Sequence, residues 1–78
     1  HKMKKHINVK IYGQVQGVFF RVSAKEEAEK LRITCSARNE SDGSVYIEAE
    51  GKEEALEKFL KWCHSGPPLA KVERVEVD

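Results

Sequence analysis

The chain has few cysteines and almost no net charge, and each scarcity excludes a class of protein. Cys35 and Cys63 are the only cysteines, too few and too far apart for a disulfide framework or a CxxC metal motif. We therefore expect two free thiols in a reducing compartment. The strand order predicted below would place them at opposite ends of the domain. Fourteen Lys and Arg against thirteen Asp and Glu give a net charge of +1. No block of five or more like charges is present, so neither a nucleic-acid-binding tail nor a membrane-surface helix is indicated.

Long hydrophobic runs are also missing. No run approaches the roughly 18 apolar residues of a membrane span, and the basic start lacks the apolar segment of a secretory signal. We therefore expect a cytoplasmic protein without a membrane partner. The 78 residues suffice for one small domain over 1–78. His1 and Lys2 precede Met3, so we expect these two residues to be additions to the natural chain.

The patterns that are present alternate between strand and helix periodicity. Apolar residues at every second position predict strands, and a repeat of three or four residues predicts amphipathic helices. Ser23 and Glu26 have the spacing of a capping box, although the helix could begin one turn earlier. The apolar parity breaks between Val72 and Val75, which predicts a bulge or a late strand start. The elements in order are strand 7–12, helix 22–32, strand 33–39, strand 44–50, helix 52–64 and strand 70–77.

This β-α-β-β-α-β order predicts the α+β, ferredoxin-like split β-α-β sandwich. Right-handed crossovers give a four-stranded antiparallel sheet of order 4-1-3-2 with both helices on one face. The architecture hosts many functions and decides none of them.

One loop carries a chemical signal. The stretch GQVQGVFFR, residues 13–21, leaves a central strand and enters a helix N-terminus, where unpaired N–H groups attract anions. Gly13 and Gly17 allow successive N–H groups to point inward, and Arg21 adds a rigid guanidinium suited to phosphate oxygens. The second strand runs parallel to the first, which brings Asn39 to the same edge. We expect an anion site, which inorganic phosphate or sulfate can occupy.

The same stretch resembles the signature of the acylphosphatase family, G-x-V-Q-G-V-x-F-R, at all seven fixed positions. ARNESDGSVYIEAEG and SGPPLAKVERVEV are similar to that family's second and last blocks, so that the resemblance covers about residues 7–77. It implies the ferredoxin-like fold and a hydrolase for the carboxyl–phosphate bond of small acyl phosphates. It also implies that no metal or organic cofactor is used.

Carried over by position, the resemblance implies two sets of site residues. Asn39 would hold the attacking water, and Arg21 would bind the phosphoryl group. The backbone N–H groups that would cradle it belong to Gln16, Gly17, Val18, Phe19 and Phe20. We expect no metal ligands, no nucleic acid partner and a monomer.

Three alternatives remain open. Two departures from the family pattern, Cys35 at a usual glycine and Ser36 at a usual aromatic, allow a catalytically lapsed homologue. Another is a non-catalytic ferredoxin-like module that binds an anion or RNA, because Tyr12 and Tyr46 would face the open side of the sheet, where such modules stack bases. A third is a carbamoyl-phosphate-handling domain of a larger maturation protein, which the lack of appended sequence disfavours.

Overall fold

The computed structural model describes residues 3–78, so the expectation for His1 and Lys2 lies outside the described residues. Six elements follow the predicted order. Every predicted element is present, and the boundaries differ by up to three residues. They are β1 (Lys4–Gln14), α1 (Phe20–Lys30), β2 (Thr34–Asn39), β3 (Val45–Lys52), α2 (Glu53–Cys63) and β4 (Lys71–Val77).

The strands form one antiparallel sheet of order β2-β3-β1-β4, which confirms the predicted 4-1-3-2 order read from the other edge. Because β1 and β2 each run antiparallel to β3, they are parallel to one another. Their carboxyl ends, Gln14 and Asn39, therefore lie at the same edge of the sheet. The loop from β1 into α1 lies at that edge as well.

The core lies between the sheet and the two helices. The central inward positions of β1 and β3 are fully or almost fully buried, and the helices add small and aromatic side chains against them. This is the alternation that the sequence predicts, with one face of the sheet apolar and the other polar. The largest fully buried side chains are Phe20, Phe59, Ile11, Ile47, Val9, Val15 and Val45. No helix in residues 3–78 is both long and apolar enough to cross a membrane.

The predicted bulge is present on β4. Tyr12 pairs with Arg74 but Gly13 pairs with Val72, so Glu73 is an extra residue between two that pair normally. This extra residue explains why the apolar parity changes between Val72 and Val75.

Of the two predicted starts of the first helix, the earlier one is correct, and the capping box at Ser23 is absent. Helix α1 begins at Phe20, and its N-cap is Phe19, with no side-chain hydrogen bond to the cap. Ser23 lies inside the first turn, where its N–H donates to the carbonyl of Phe19 at 3.0 Å. Tertiary packing overrides the local signal, because Phe20 is buried and draws the chain into the helix one turn earlier.

The cysteines are free thiols, as predicted, but their placement at opposite ends of the domain is wrong. Cys35 pairs with Ala49, three residues or about 10 Å from the end of β3. Helix α2 advances only about 15 Å from Glu53 to Cys63, because a helix rises about 1.5 Å per residue. Cys63 is fully buried. Its pKa is raised to about 12, first by burial and second by the nearby Cys35 thiol.

Candidate active site

The loop between β1 and α1 has the backbone of an anion site. Gly17 and Phe19 both adopt left-handed conformations, with φ of 76° and 67°, and such residues turn neighbouring N–H groups toward a common point. The first α1 hydrogen bond is the one from Ser23 to Phe19. Within residues 3–78, no backbone N–H from Gln16 to Val22 donates to a backbone carbonyl. These donors are available to a ligand, and the positive end of the α1 dipole adds to their attraction for an anion.

Phe20 fixes this loop to the core. Its ring is 1% exposed and lies 5.4 Å from the Trp62 ring, centroid to centroid. Gly66 approaches it so closely that a Cβ there would lie 2.5 Å from the Phe20 ring. The loop backbone therefore follows a rigid aromatic anchor, and the loop from α2 to β4 holds that anchor from outside.

Arg21 is exposed at the start of α1 and has no acidic partner within 4.0 Å in the described part of the chain. Two of the other three arginines are neutralised locally, since Arg38 pairs with Glu40 at 2.6 Å and Arg74 with Glu76 at 3.0 Å. The third, Arg32, lies beyond the opposite end of α1. Arg21 thus keeps an uncompensated guanidinium beside the loop. A doubly charged anion gains most from such a group.

Asn39 and Arg21 line one cavity, although eighteen positions separate them in the chain. The cavity measures about 260 Å³ and lies where β2 ends beside the loop. It brings together most of the predicted site residues, and the side chains of Gln16 and Val18 are not part of its wall. The lining consists of Val15, Gly17, Phe19, Phe20, Arg21, Val22 and Asn39.

The side chain of Gln16 has a structural contact that the sequence does not reveal. Its Nε2 donates to the carbonyl of Glu40 at 2.8 Å and to that of Ser44 at 2.9 Å. Both acceptors belong to the turn that follows Asn39. Prediction from the sequence assigns Gln16 a backbone role only, and no local pattern could indicate these partners 24 and 28 positions away.

That turn is itself held by Asp42. The carboxylate accepts from the Ser44 hydroxyl at 2.6 Å and from the Ser44 N–H at 3.0 Å. It also pairs with Lys10 at 3.1 Å. The bonds from Ser44, and then the contact with Lys10, lower the pKa of Asp42 to about 2. The turn beside Asn39 therefore keeps its charge and shape at any pH well above that value.

The open face of the sheet does not present free aromatic rings. The Arg74 guanidinium lies 4.0 Å from the centroid of Tyr12, and that of Arg38 lies 4.5 Å from the centroid of Tyr46. Glu48 accepts from the Tyr46 hydroxyl at 3.3 Å. The chain's own side chains occupy the surfaces that bases would stack on, which counts against the RNA-binding alternative.

The chain is thus a small α+β protein of ferredoxin-like fold, in which unpaired N–H groups and a free guanidinium around one cavity form a candidate anion site. The chain belongs to the acylphosphatase family: the profile named Acylphosphatase matches residues 7–78. Acylphosphatases are enzymes that hydrolyse acyl phosphates, as the sequence predicts for this chain.

Individual relatives agree. An acylphosphatase of Rubrobacter xylanophilus is 46% identical over 77 residues, which are 99% of this chain and 70% of that protein. The structure of an acylphosphatase from Coxiella burnetii matches with a TM-score of 0.92 and 37% identity, over 96% of this chain and 79% of that one. Full-length HypF, described in a phosphate- and nucleotide-bound form, also matches with a TM-score of 0.92. That match has 29% identity and covers all of this chain but 10% of HypF.

Proposed function

We propose that the loop from Gln16 to Phe20, Arg21 and Asn39 carry the hydrolysis of acyl phosphates in two separate roles. The loop and Arg21 bind the phosphoryl group, and Asn39 positions the water that attacks it. The observation that carries this proposal is the single cavity, where unpaired donors, an uncompensated guanidinium and an amide side chain converge.

Phosphoryl binding follows from charge. Three non-bridging oxygens can accept from backbone N–H groups between Gln16 and Phe20, and the Arg21 guanidinium can bind two of them at once. The charge of the phosphoryl group is spread over these oxygens in the transition state. Donors that are already fixed in place stabilise that charge without reorganisation. The anchoring of Phe20 keeps them fixed.

Asn39 suits the second role because a neutral amide can both donate to and accept from water. It is too weak a base to remove a proton, so its contribution is to hold the water in line with the bond that breaks. The position of its backbone, at the end of β2 and beside a turn tied to Gln16 and Asp42, is well defined.

The proposed hydrolysis needs no reactant besides the acyl phosphate and one water molecule. The water oxygen forms a bond to phosphorus, and the bond from phosphorus to the bridging oxygen breaks. The carboxylate leaves with that electron pair, and the water proton goes to a phosphate oxygen of the substrate. A carboxylate is a good leaving group, so neither a strong general acid nor a metal ion is needed. We also propose that the protein acts as a monomer in the cytoplasm. The free thiols of Cys35 and Cys63 support the cytoplasm, because they fit a reducing compartment.

The test is benzoyl phosphate hydrolysis, with inhibition by inorganic phosphate measured in parallel. Arg21→Ala should lose phosphate affinity and turnover together, by on the order of 10²–10³-fold in kcat/KM. Asn39→Ala should lose kcat by a similar factor and keep the inhibition constant for phosphate. Lys25→Ala, one turn further along α1, and Asn8→Ala are the matched controls. If Arg21→Ala and Asn39→Ala keep the wild-type rate, the residue assignment is wrong.

A further inference from the structure

Phe19 is unfavourable to the fold in two independent ways. It holds φ of 67° and ψ of 25°, a left-handed conformation in which a bulky side chain is strained. Its side chain is also 70% exposed, so that the ring gains little from burial. Glycine or asparagine would take the same backbone conformation with less strain. The aromatic ring therefore contributes something other than stability.

The ring lies where a substrate would meet it. Phe19 lines the same cavity as Arg21 and Asn39. Val22, three positions later and 59% exposed, lines it too. Both apolar residues therefore contribute to the wall of the same cavity.

The other apolar residues of the wall, Val15 and Phe20, are 1% exposed and belong to the core. This leaves Phe19 and Val22 as the apolar surface that the cavity offers to a ligand. In an acyl phosphate, one oxygen atom joins the phosphorus to the acyl carbon. A phosphoryl group bound at the loop therefore brings the acyl group close to the phosphate donors.

We infer that Phe19, with Val22, is the contact surface for the acyl group, and that the enzyme selects acyl phosphates whose acyl group is apolar, aromatic ones above all. This inference rests on the proposed phosphate site. The cavity of about 260 Å³ is smaller than the roughly 300–1,000 Å³ of most ligand pockets, which fits a small acyl phosphate. An aromatic acyl group can stack on the Phe19 ring, whereas the methyl group of acetyl phosphate covers little of it.

The experiment compares kcat/KM for benzoyl phosphate with kcat/KM for acetyl phosphate. Phe19→Asn keeps a residue that accepts the left-handed backbone, and Phe19→Leu keeps an apolar side chain. We expect the benzoyl-to-acetyl ratio to fall about tenfold in Phe19→Asn and less in Phe19→Leu. Val22→Thr, which matches valine in shape, should lower the ratio by a smaller factor. Inorganic phosphate has no acyl group, so its inhibition constant should stay similar in all three variants.

Each other outcome has a definite meaning. An unchanged ratio in Phe19→Asn, with phosphate inhibition also unchanged, would overturn the inference and leave the phosphate site standing. Equal losses for both substrates and for phosphate would also overturn it, because Phe19 would then act only through the loop backbone. If the ratio is unchanged but hydrolysis of an acyl-phosphorylated protein falls, the ring serves a protein partner instead. Wild-type rates in Arg21→Ala would instead count against the proposed phosphate site.

Discussion

Gln16 donates a hydrogen bond of 2.8 Å from its side-chain Nε2 to the carbonyl oxygen of Glu40. This bond connects the loop between β1 and α1 to the β2–β3 hairpin that carries Asn39. The same nitrogen donates to Ser44 at 2.9 Å. One half-buried amide therefore spans the two halves of the site. In the proposed mechanism the phosphoryl group and the water bind on different elements, so catalysis would require a fixed separation between those two halves.

Removing this link should lower kcat more than phosphate affinity. In Gln16→Ala the N–H groups and Arg21 can still bind the anion, but Asn39 loses its fixed distance from it. We expect kcat to fall about 10- to 100-fold. Gln16→Glu should fall at least as far, because a carboxylate would face two carbonyl oxygens.

Kinetics with benzoyl phosphate and inhibition by phosphate separate the two effects. Gln14→Ala, two residues earlier and exposed, is the control and should resemble the wild type. An equal loss of kcat and of phosphate affinity in Gln16→Ala would mean that the amide shapes the loop itself.

The Gln16 hydrogen bonds also show which features of the site can be predicted from the sequence and which cannot. Alternation of apolar residues predicts the order of elements, and the parallel course of β1 and β2 then places Asn39 beside the loop. These are periodic signals with a physical cause, and they survive in a single sequence. The partners of Gln16 are carbonyl groups of a turn, which have no residue identity, so no pattern could reveal them.

The errors have equally physical causes. The capping box at Ser23 has the right local chemistry, but burial of Phe20 starts α1 earlier than the local signal indicates. The prediction for the cysteines is wrong because the end of α2 does not reach the edge of the sheet. A strand of eight residues outruns a helix of eleven, which leaves Cys63 near Cys35.

Arg21→Lys is expected to be severely impaired. A lysine keeps the positive charge, but its compact ammonium cannot bind two phosphate oxygens through a planar fork. We expect kcat/KM to fall on the order of 100-fold, with weaker phosphate inhibition. Near-normal kinetics would show that the site needs only a positive charge at this position.

Chelation should leave the rate unchanged. Charge stabilisation is assigned to N–H groups and Arg21, and residues 3–78 contain no group of three His, Cys, Asp or Glu side chains arranged to hold a metal ion. The measurement is benzoyl phosphate hydrolysis before and after dialysis against EDTA. A loss of rate that a divalent ion restores would contradict the proposed mechanism.

Asp42 should make stability depend on pH in the acid range alone. Its folded pKa, about 2, lies below the ordinary value of 3.8. The charged form is therefore favoured by folding, and its contribution is present above about pH 4 and lost as the pH falls toward 2. Asp42→Asn, which removes the charge, should be less stable than the wild type at neutral pH, and the difference should shrink between pH 4 and 2.

Urea denaturation at a series of pH values measures this difference. Glu57→Gln is the control, because Glu57 is exposed on α2 and has no ion pair within 4.0 Å among the described residues. Its difference from the wild type should not follow the same course. A constant difference between Asp42→Asn and the wild type across that range would show that the Ser44 and Lys10 contacts do not act through the charge.

The two thiols should differ in reactivity while both remain free. Cys63 is fully buried, and its pKa of about 12 leaves almost no thiolate at neutral pH. Cys35 is half-buried, and burial raises its pKa as well, but a reagent can reach it from the sheet edge.

In the native protein, a thiol reagent should modify Cys35 slowly and Cys63 only through unfolding. The Cys35→Ser variant assigns the two phases. After denaturation without a reductant, two thiols per chain should be found. Equal native rates for both would contradict the complete burial of Cys63.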